Sequence, residues 1–293
     1  MIAHPTDTRR GIALMVAASF LFALTVAFAK LLSASMGSVE VTFWRNLVGL
    51  AVIALSVWRF PIQSKGGRPF TLVFRGIIGT VALLTFFYTV SATSLSSAIV
   101  YSKTEPIFTA ILAFFLLKER LRPSAIIAIL VGFAGVVLLS GMEWGYLHVM
   151  GILTGFLSAL AYTSVRSLKA HYDARSVVLS FMVAGVLIPG VLMGIAEHYT
   201  SEWLAFALSP FVLPCGDDWL WIVLMGLAAA GGQILMTRAY FHAPAGIVST
   251  ASYSVVLFAT LFGIILGDAF PTPTLAAGAV LVVLSGIMLT RPK

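Results

Sequence analysis

The chain has 293 residues, of which 60% are hydrophobic and only 10% charged, and its mean hydropathy is +1.02; a water-soluble domain does not carry that much apolar surface, so the solvent is lipid. The net charge of +7 then reads as membrane topology, and aqueous catalysis, nucleic-acid reading and secretion are poor readings of the chain. Cys215 is the single cysteine, so neither an internal disulfide nor a metal cluster is expected.

From the N-terminus, the polar stretch Met1 to Arg10 precedes an apolar run of full membrane length with no clear small-residue cleavage site, and this run is read as the first span rather than a leader. A span needs about 20 mostly apolar residues. Ten segments meet or approach that length: 11–32, 40–58, 70–91, 97–117, 123–140, 149–169, 177–196, 219–240, 246–266 and 274–290. They are too long and too continuously apolar for barrel strands, and the backbone has no water partner in hydrocarbon, so each is expected to be a helix. Pro69, Pro123, Pro214, Pro271 and Pro273 fall between spans or at their starts, whereas Pro106, Pro189 and Pro244 do not. The stretch 198–218, with Trp203, Phe206 and Phe211, is either an interfacial loop or a short amphipathic helix.

Lys and Arg alternate along the chain. Arg9/Arg10, Arg59/Lys65/Arg68/Arg75, Lys118/Arg120/Arg122, Arg166/Lys169/Arg175, Arg238 and Arg291/Lys293 share one face, and the opposite connections carry Glu40, Glu143, Glu197, Glu202, Asp217, Asp218 and Asp268. The basic face is cytoplasmic by the positive-inside rule. The number of spans is therefore even, with both termini in the cytoplasm and the chain in the inner membrane.

The sequence also repeats. Ser97-Ala98-Ile99-Val100, a span, Lys118-Glu119-Arg120, Pro123 and a Gly-punctuated span parallel Ala245-Gly246-Ile247-Val248, a span, Gly267-Asp268, Pro271 and a second such span. Gly11-Ile12 and Gly151-Ile152 open matching spans earlier in each copy, so each repeat is about 145 residues long. The expected fold is all-α, with ten transmembrane helices in two five-helix halves, residues 1–143 and 144–293. Five spans per copy force the second copy to enter from the other face, as in carriers that alternate access around a mid-membrane site.

These features resemble the drug/metabolite transporter superfamily in its EamA-type branch: the layout, the duplication, the acidic residue closing the fourth span of each half, the Pro after it and the small-residue final span. The resemblance covers nearly the whole chain and specifies fold and transport class better than substrate. It implies a carrier of the amino acid and metabolite exporter kind. Relatives in the superfamily that exchange organic phosphates or nucleotide sugars are expected to place paired Lys/Arg in the second half's cavity, and spans nine and ten have none.

Glu105 is the sharpest point, about nine residues into the fourth span and followed by Pro106, which removes a helical hydrogen bond. Tyr101, Ser102, Glu105 and Thr109 share a face of a regular helix, with Lys103 about 200° from Glu105. Two readings stand: negative charge aimed at a substrate ammonium or a proton, or a neutral or paired carboxylate supporting a kink. Lys30, Arg45 and Lys103 sit within two turns of the outer ends of their spans; each alone is read more simply as snorkelling or pairing with Glu40, whereas together they point equally to a vestibule for carboxylate-bearing solutes. Trp44, Tyr88, Tyr162, Gln233, Tyr240 and Tyr253 complete the candidates. Tyr253 stands 148 residues on from Glu105, in the equivalent place of the other repeat. For the remaining aromatics, interfacial belts or helix contacts are the stronger reading. Arg166 and Arg238 are read as snorkelling anchors. The Gly-x-x-x-Gly pairs 151/155, 190/194 and 263/267 are read as helix-packing sites. No His-Glu-x-x-His, Gly-x-Ser-x-Gly or phosphate loop occurs. The expected partners are a small amino-acid-like molecule and the bilayer, with no nucleic acid and no cofactor.

Overall fold

The computed structural model describes residues 7–62, 66–92, 99, 101–118, 123–140, 146–199, 204, 206–267 and 273–290. Lys65, Ser97, Ala98, Val100, Glu119, Arg120, Arg122, Glu143, Glu202, Trp203, Asp268, Pro271, Arg291 and Lys293, which entered the reading above, lie outside the described residues.

The described residues form eleven helices and no strand: α1 Thr8–Leu32, α2 Ser38–Arg59, α3 Pro69–Ala92, α4 Glu105–Leu117, α5 Pro123–Ser140, α6 Tyr146–Leu168, α7 Ala174–Ala196, α8 Asp218–His242, α9 Ala245–Ala251, α10 Ser254–Ile265 and α11 Pro273–Thr290. Seven stretches among the described residues are long and apolar enough to cross a membrane, one of them the combined α9–α10 stretch Ala245–Ile265; α4, α5 and α11 supply shorter apolar runs. The chain is thus a multi-pass, all-helical membrane protein.

Helix starts follow local chemistry. Asp7 Oδ1 accepts from the Arg10 amide at 3.1 Å and Asp173 Oδ1 from the Arg175 amide at 2.8 Å, each carboxylate capping a helix N-terminus. Pro69, Pro123 and Pro273 open α3, α5 and α11, where a missing N–H costs nothing. Two prolines without an obvious place in the sequence have the same explanation: Pro106 lies in the first turn of α4 and Pro244 caps α9, because both spans are interrupted. Among the described prolines, Pro189 alone sits inside a helix, α7. Hydroxyls within the helices bond backward to carbonyls one turn earlier, as Thr42 does to Ser38 at 2.9 Å and Thr89 to Thr85 at 2.7 Å, so few donors face lipid unsatisfied. The outer surface is apolar, with Trp58 79% and Phe115 71% exposed.

Helices from the two ends of the chain interleave. α1 runs along α8, α2 along α7 and α8, α3 along α6 and α7, α4 along α6, and α5 along α11. At the end where α1 begins, Ile12, Met15, Val165, Leu168, Val177, Met236 and Tyr240 form one apolar cluster. At the other end Leu32, Met36, Val41, Phe87, Ile222 and Met225 form another. Buried Arg45, Arg75 and Glu105 line a cavity within the bundle. Arg166 does not snorkel: its Nη1 donates to the Tyr240 and Phe241 carbonyls at 2.9 and 3.2 Å, filling acceptors that the end of α8 leaves open.

Residues 206–217 form turns and irregular backbone, not a helix, and lie over the end of the bundle away from the start of α1. Glu40, fully buried, holds them: Oε2 accepts from the Val212 amide at 3.0 Å and Oε1 from Trp44 Nε1 at 3.1 Å. Trp44 packs edge-on to Trp219 and lies against Phe211. Hydrogen bonds to a charged acceptor contribute about 1.5–3 kcal/mol each. Replacing Glu40 with Ala is therefore expected to speed amide exchange in residues 206–217 by at least ~10-fold, read by hydrogen-exchange mass spectrometry in detergent; unchanged exchange there would show that Glu40 does not hold the segment.

Candidate functional site

The site is built on two helix interruptions. Between Tyr101 and Glu105 the backbone tightens, with Thr104 N–H donating to the Tyr101 carbonyl at 3.2 Å and Ile107 N–H to Thr104 at 3.1 Å. Between α9 and α10 the same tightening occurs, with Tyr253 N–H donating to Thr250 and Val255 N–H to Ser252, both at 3.1 Å. Three-residue hydrogen bonds change the angle per residue from the regular helical value. That changes the expected layout: Lys103 does not point away from Glu105, and both side chains line one cavity.

Glycines let this irregular segment sit close to α6. A Cβ on Gly151 would run into the Tyr101 ring, and one on Gly155 would meet Thr104 Oγ1 and lie 3.0 Å from the Glu105 amide. The pair 151/155 is thus a close-approach surface. The pair 190/194 is not, since a Cβ on Gly194 meets nothing within 4 Å.

The cavity, about 130 Å³, is walled by Ser19 and Thr25 of α1, Arg45 of α2, Arg75 and Phe86 of α3, Lys103 and Glu105, Thr154, Ser158 and Tyr162 of α6, Phe181 of α7, Gln233 of α8 and Ser252. On one side Glu105, 2% exposed, accepts from Thr109 Oγ1 at 2.7 Å and from Ser252 Oγ at 3.3 Å. Lys103 Nζ donates to the same Ser252 oxygen at 3.2 Å, so base and acid are bridged by a hydroxyl. On another side two guanidinium groups share one ring, with Arg75 Cζ 4.6 Å and Arg45 Cζ 5.7 Å from the Phe181 centroid. Arg75 Nη2 reaches Gln233 Oε1 at 3.4 Å, and Arg45 Nη1 reaches Asn46 Oδ1 at 3.0 Å. Neither guanidinium has a carboxylate within ion-pair distance among the described residues. Both guanidinium carbons lie close to the same ring, so the two charges are within ~10 Å of each other and repel by about 1.6 kcal/mol or more at an effective dielectric of ~20. Tyr162 lies within electrostatic reach of Glu105 and both arginines, and its ring meets Tyr240 at 5.4 Å.

Of the residues singled out from the sequence, Glu105, Lys103, Tyr162 and Gln233 meet in this cavity. Tyr101 is buried against Gly151, and Tyr253 is packed with its ring against Gly132 and joins the Ala23, Ile99 and Val256 cluster. Trp44 and Tyr88 lie toward residues 206–217, Tyr88 edge-on to Phe206. Two cations change role. Arg75, counted above among the face-setting charges, is 1% exposed at the centre, and Arg45 neither snorkels nor pairs with Glu40. The readable signal for Arg75 was the Gly four residues later: its Nη1 lies where a Gly79 side chain would be. Phe181 and Ser252 carried no such signal.

A multi-pass helical bundle holding a polar, charged cavity between two apolar layers is the architecture of a solute transporter. The comparisons with known proteins agree. The family model described as the EamA-like transporter family matches residues 9–141. An uncharacterized transporter of Helicobacter pylori is 33% identical over 96% of this chain and 95% of its own length. The pseudopaline exporter of Pseudomonas aeruginosa is 28% identical over 97% of each chain, and the aromatic amino acid exporter YddG of Ancylobacter novellus 29% identical over 61% of each. The chain belongs to the EamA-like transporter family: it is a transporter, not an enzyme.

Proposed function

We propose that the chain exports small amphipathic metabolites, amino acids including aromatic ones, across the inner membrane by alternating access through the central cavity. The observation that carries this reading is opposite charge within one cavity: Glu105 suits a substrate ammonium, Arg45 and Arg75 suit its carboxylate, and Phe86, Phe181 and Tyr162 suit an apolar side chain. In this reading ten spans form two oppositely threaded halves, 1–143 and 144–293, with both termini in the cytoplasm. The helix pairings support it. Exchanging each span with its counterpart turns the α1–α8 contact into α6–α3, α1–α10 into α6–α4 and α2–α8 into α7–α3, and leaves α2–α7 and α5–α11 in place. The two interruptions also fall at matching positions, Thr104 and Ser252, as expected of a carrier whose broken helices frame its site. Relatives named as exporters of pseudopaline and of aromatic amino acids support the direction and the substrate size class.

The test is efflux from proteoliposomes holding the purified chain, against a panel of labelled amino acids. Saturable efflux of at least one member, absent from protein-free vesicles, is expected. If no amino acid moves while another small solute such as a nucleoside does, the amino acid assignment is wrong and the carrier reading survives.

A further inference from the structure

We infer that the transported solute carries two acidic groups beside its amine; this rests on the reading of the cavity as an amino-acid-like site. Arg45 and Arg75 are 2% and 1% exposed, and among the described residues nothing hydrogen-bonds Arg45 Nε or Arg75 Nε and Nη1. Among the described residues, the side chains that accept from the two guanidinium groups are the neutral amides of Asn46 and Gln233. Buried N–H groups of a charged side chain are rarely left unpaired, because the lost hydration is not replaced. Glu105 does not compensate them. It is bridged through Ser252 to Lys103, a cation of its own, so the charged groups on the cavity wall sum formally to two positive charges in excess.

A neutral zwitterion brings one carboxylate and one ammonium, which leaves that excess unchanged and at least one guanidinium without an anion. A solute with an amine and two acids lowers the excess and gives each guanidinium an anion: the ammonium shares Glu105 with Lys103, and each acid takes one guanidinium, whose planar fork suits the two oxygens of a carboxylate or phosphate. Arg45 and Arg75 then set specificity, each drawing one acid toward the Phe181 ring.

The experiment uses the full chain in proteoliposomes with three probes of different acid content: phenylalanine with one carboxylate, glutamate with two, and phosphoserine with a carboxylate and a phosphate. Efflux of glutamate or phosphoserine at least tenfold faster than phenylalanine is expected, and the faster of those two identifies the second acid. In Arg45→Gln and in Arg75→Gln the acid-to-phenylalanine ratio should fall at least tenfold, whereas Arg45→Lys, which keeps the charge, should retain more of it. Size-exclusion profiles in detergent identify variants that fail to fold, in which case the Arg45→Lys ratio and competition by unlabelled glutamate against the parent protein decide. If phenylalanine is the fastest probe and the ratio is indifferent to both arginines, the inference is overturned while the amino acid reading stands. If none of the three probes moves, the inference is overturned, and the amino acid reading falls with it only if the full panel also stays put.

Discussion

Changing Glu105 to Gln is expected to cut efflux of amine-bearing solutes at least ~30-fold while leaving the protein folded. The carboxylate is buried beneath the cavity wall and held by Thr109 and Ser252. Gln has nearly the same shape and still accepts one hydrogen bond, so the fold loses little. What disappears is the only negative charge that the described residues place on the cavity wall, and with it the partner of a bound ammonium. Truncating one member of a buried, hydrogen-bonded charge pair costs about 2–5 kcal/mol, and 2 kcal/mol corresponds to ~30-fold. The check is initial efflux rate in proteoliposomes for matched probes with and without the amine, for example phenylalanine and phenylpropionate. A loss confined to the amine-bearing probe assigns the ammonium to Glu105. Equal loss for both assigns the carboxylate a structural role at the interruption instead, and parent-like rates for both remove it from the mechanism.

Gly155→Leu should be at least as damaging, by a different route. The new side chain would stand where Thr104 and the Glu105 amide already are. Those are atoms of an irregular segment whose position sets both Lys103 and Glu105, so the cost is paid in the geometry of the site as well as in packing. Overfilling a close contact costs about 1–3 kcal/mol, and a displacement of about 1 Å at a reacting or binding group is enough for a loss of ~100-fold. Gly194→Leu supplies the control, because that glycine occupies the same place in its own Gly-x-x-x-Gly pair but faces open space. Efflux within about twofold of the parent is expected there, since substitutions without a contact are usually energetically small. If the two leucine variants behave alike, the close approach of α6 to the interrupted segment is not what positions the site.

The two variants also separate what a linear pattern reports from what it hides. Both glycine pairs have the same spacing, and spacing gives no information on which helix lies opposite; Gly155 meets Thr104 only because α6 packs on the segment before α4. Arg75 makes the same point for charge. A cation six residues into a span reads as an anchor for the nearer face, yet its long side chain folds over Gly79 and ends beside Gln233, 158 positions away in the chain.

Hydropathy by itself determined that the chain is helical and lives in lipid, because a backbone without water must satisfy its hydrogen bonds internally, segment by segment, and that demand is local. It also marked Glu105, since an acid next to a proline inside an apolar run is locally expensive wherever its neighbours lie. Tertiary structure alone decided the company it keeps. Lys103 turns to the same cavity through a tightened stretch of backbone, Ser252 arrives from a second interrupted span, and two arginines converge on Phe181 from α2 and α3. Those encounters depend on how helices pack across many positions of chain, and no residue's immediate neighbours carry that information.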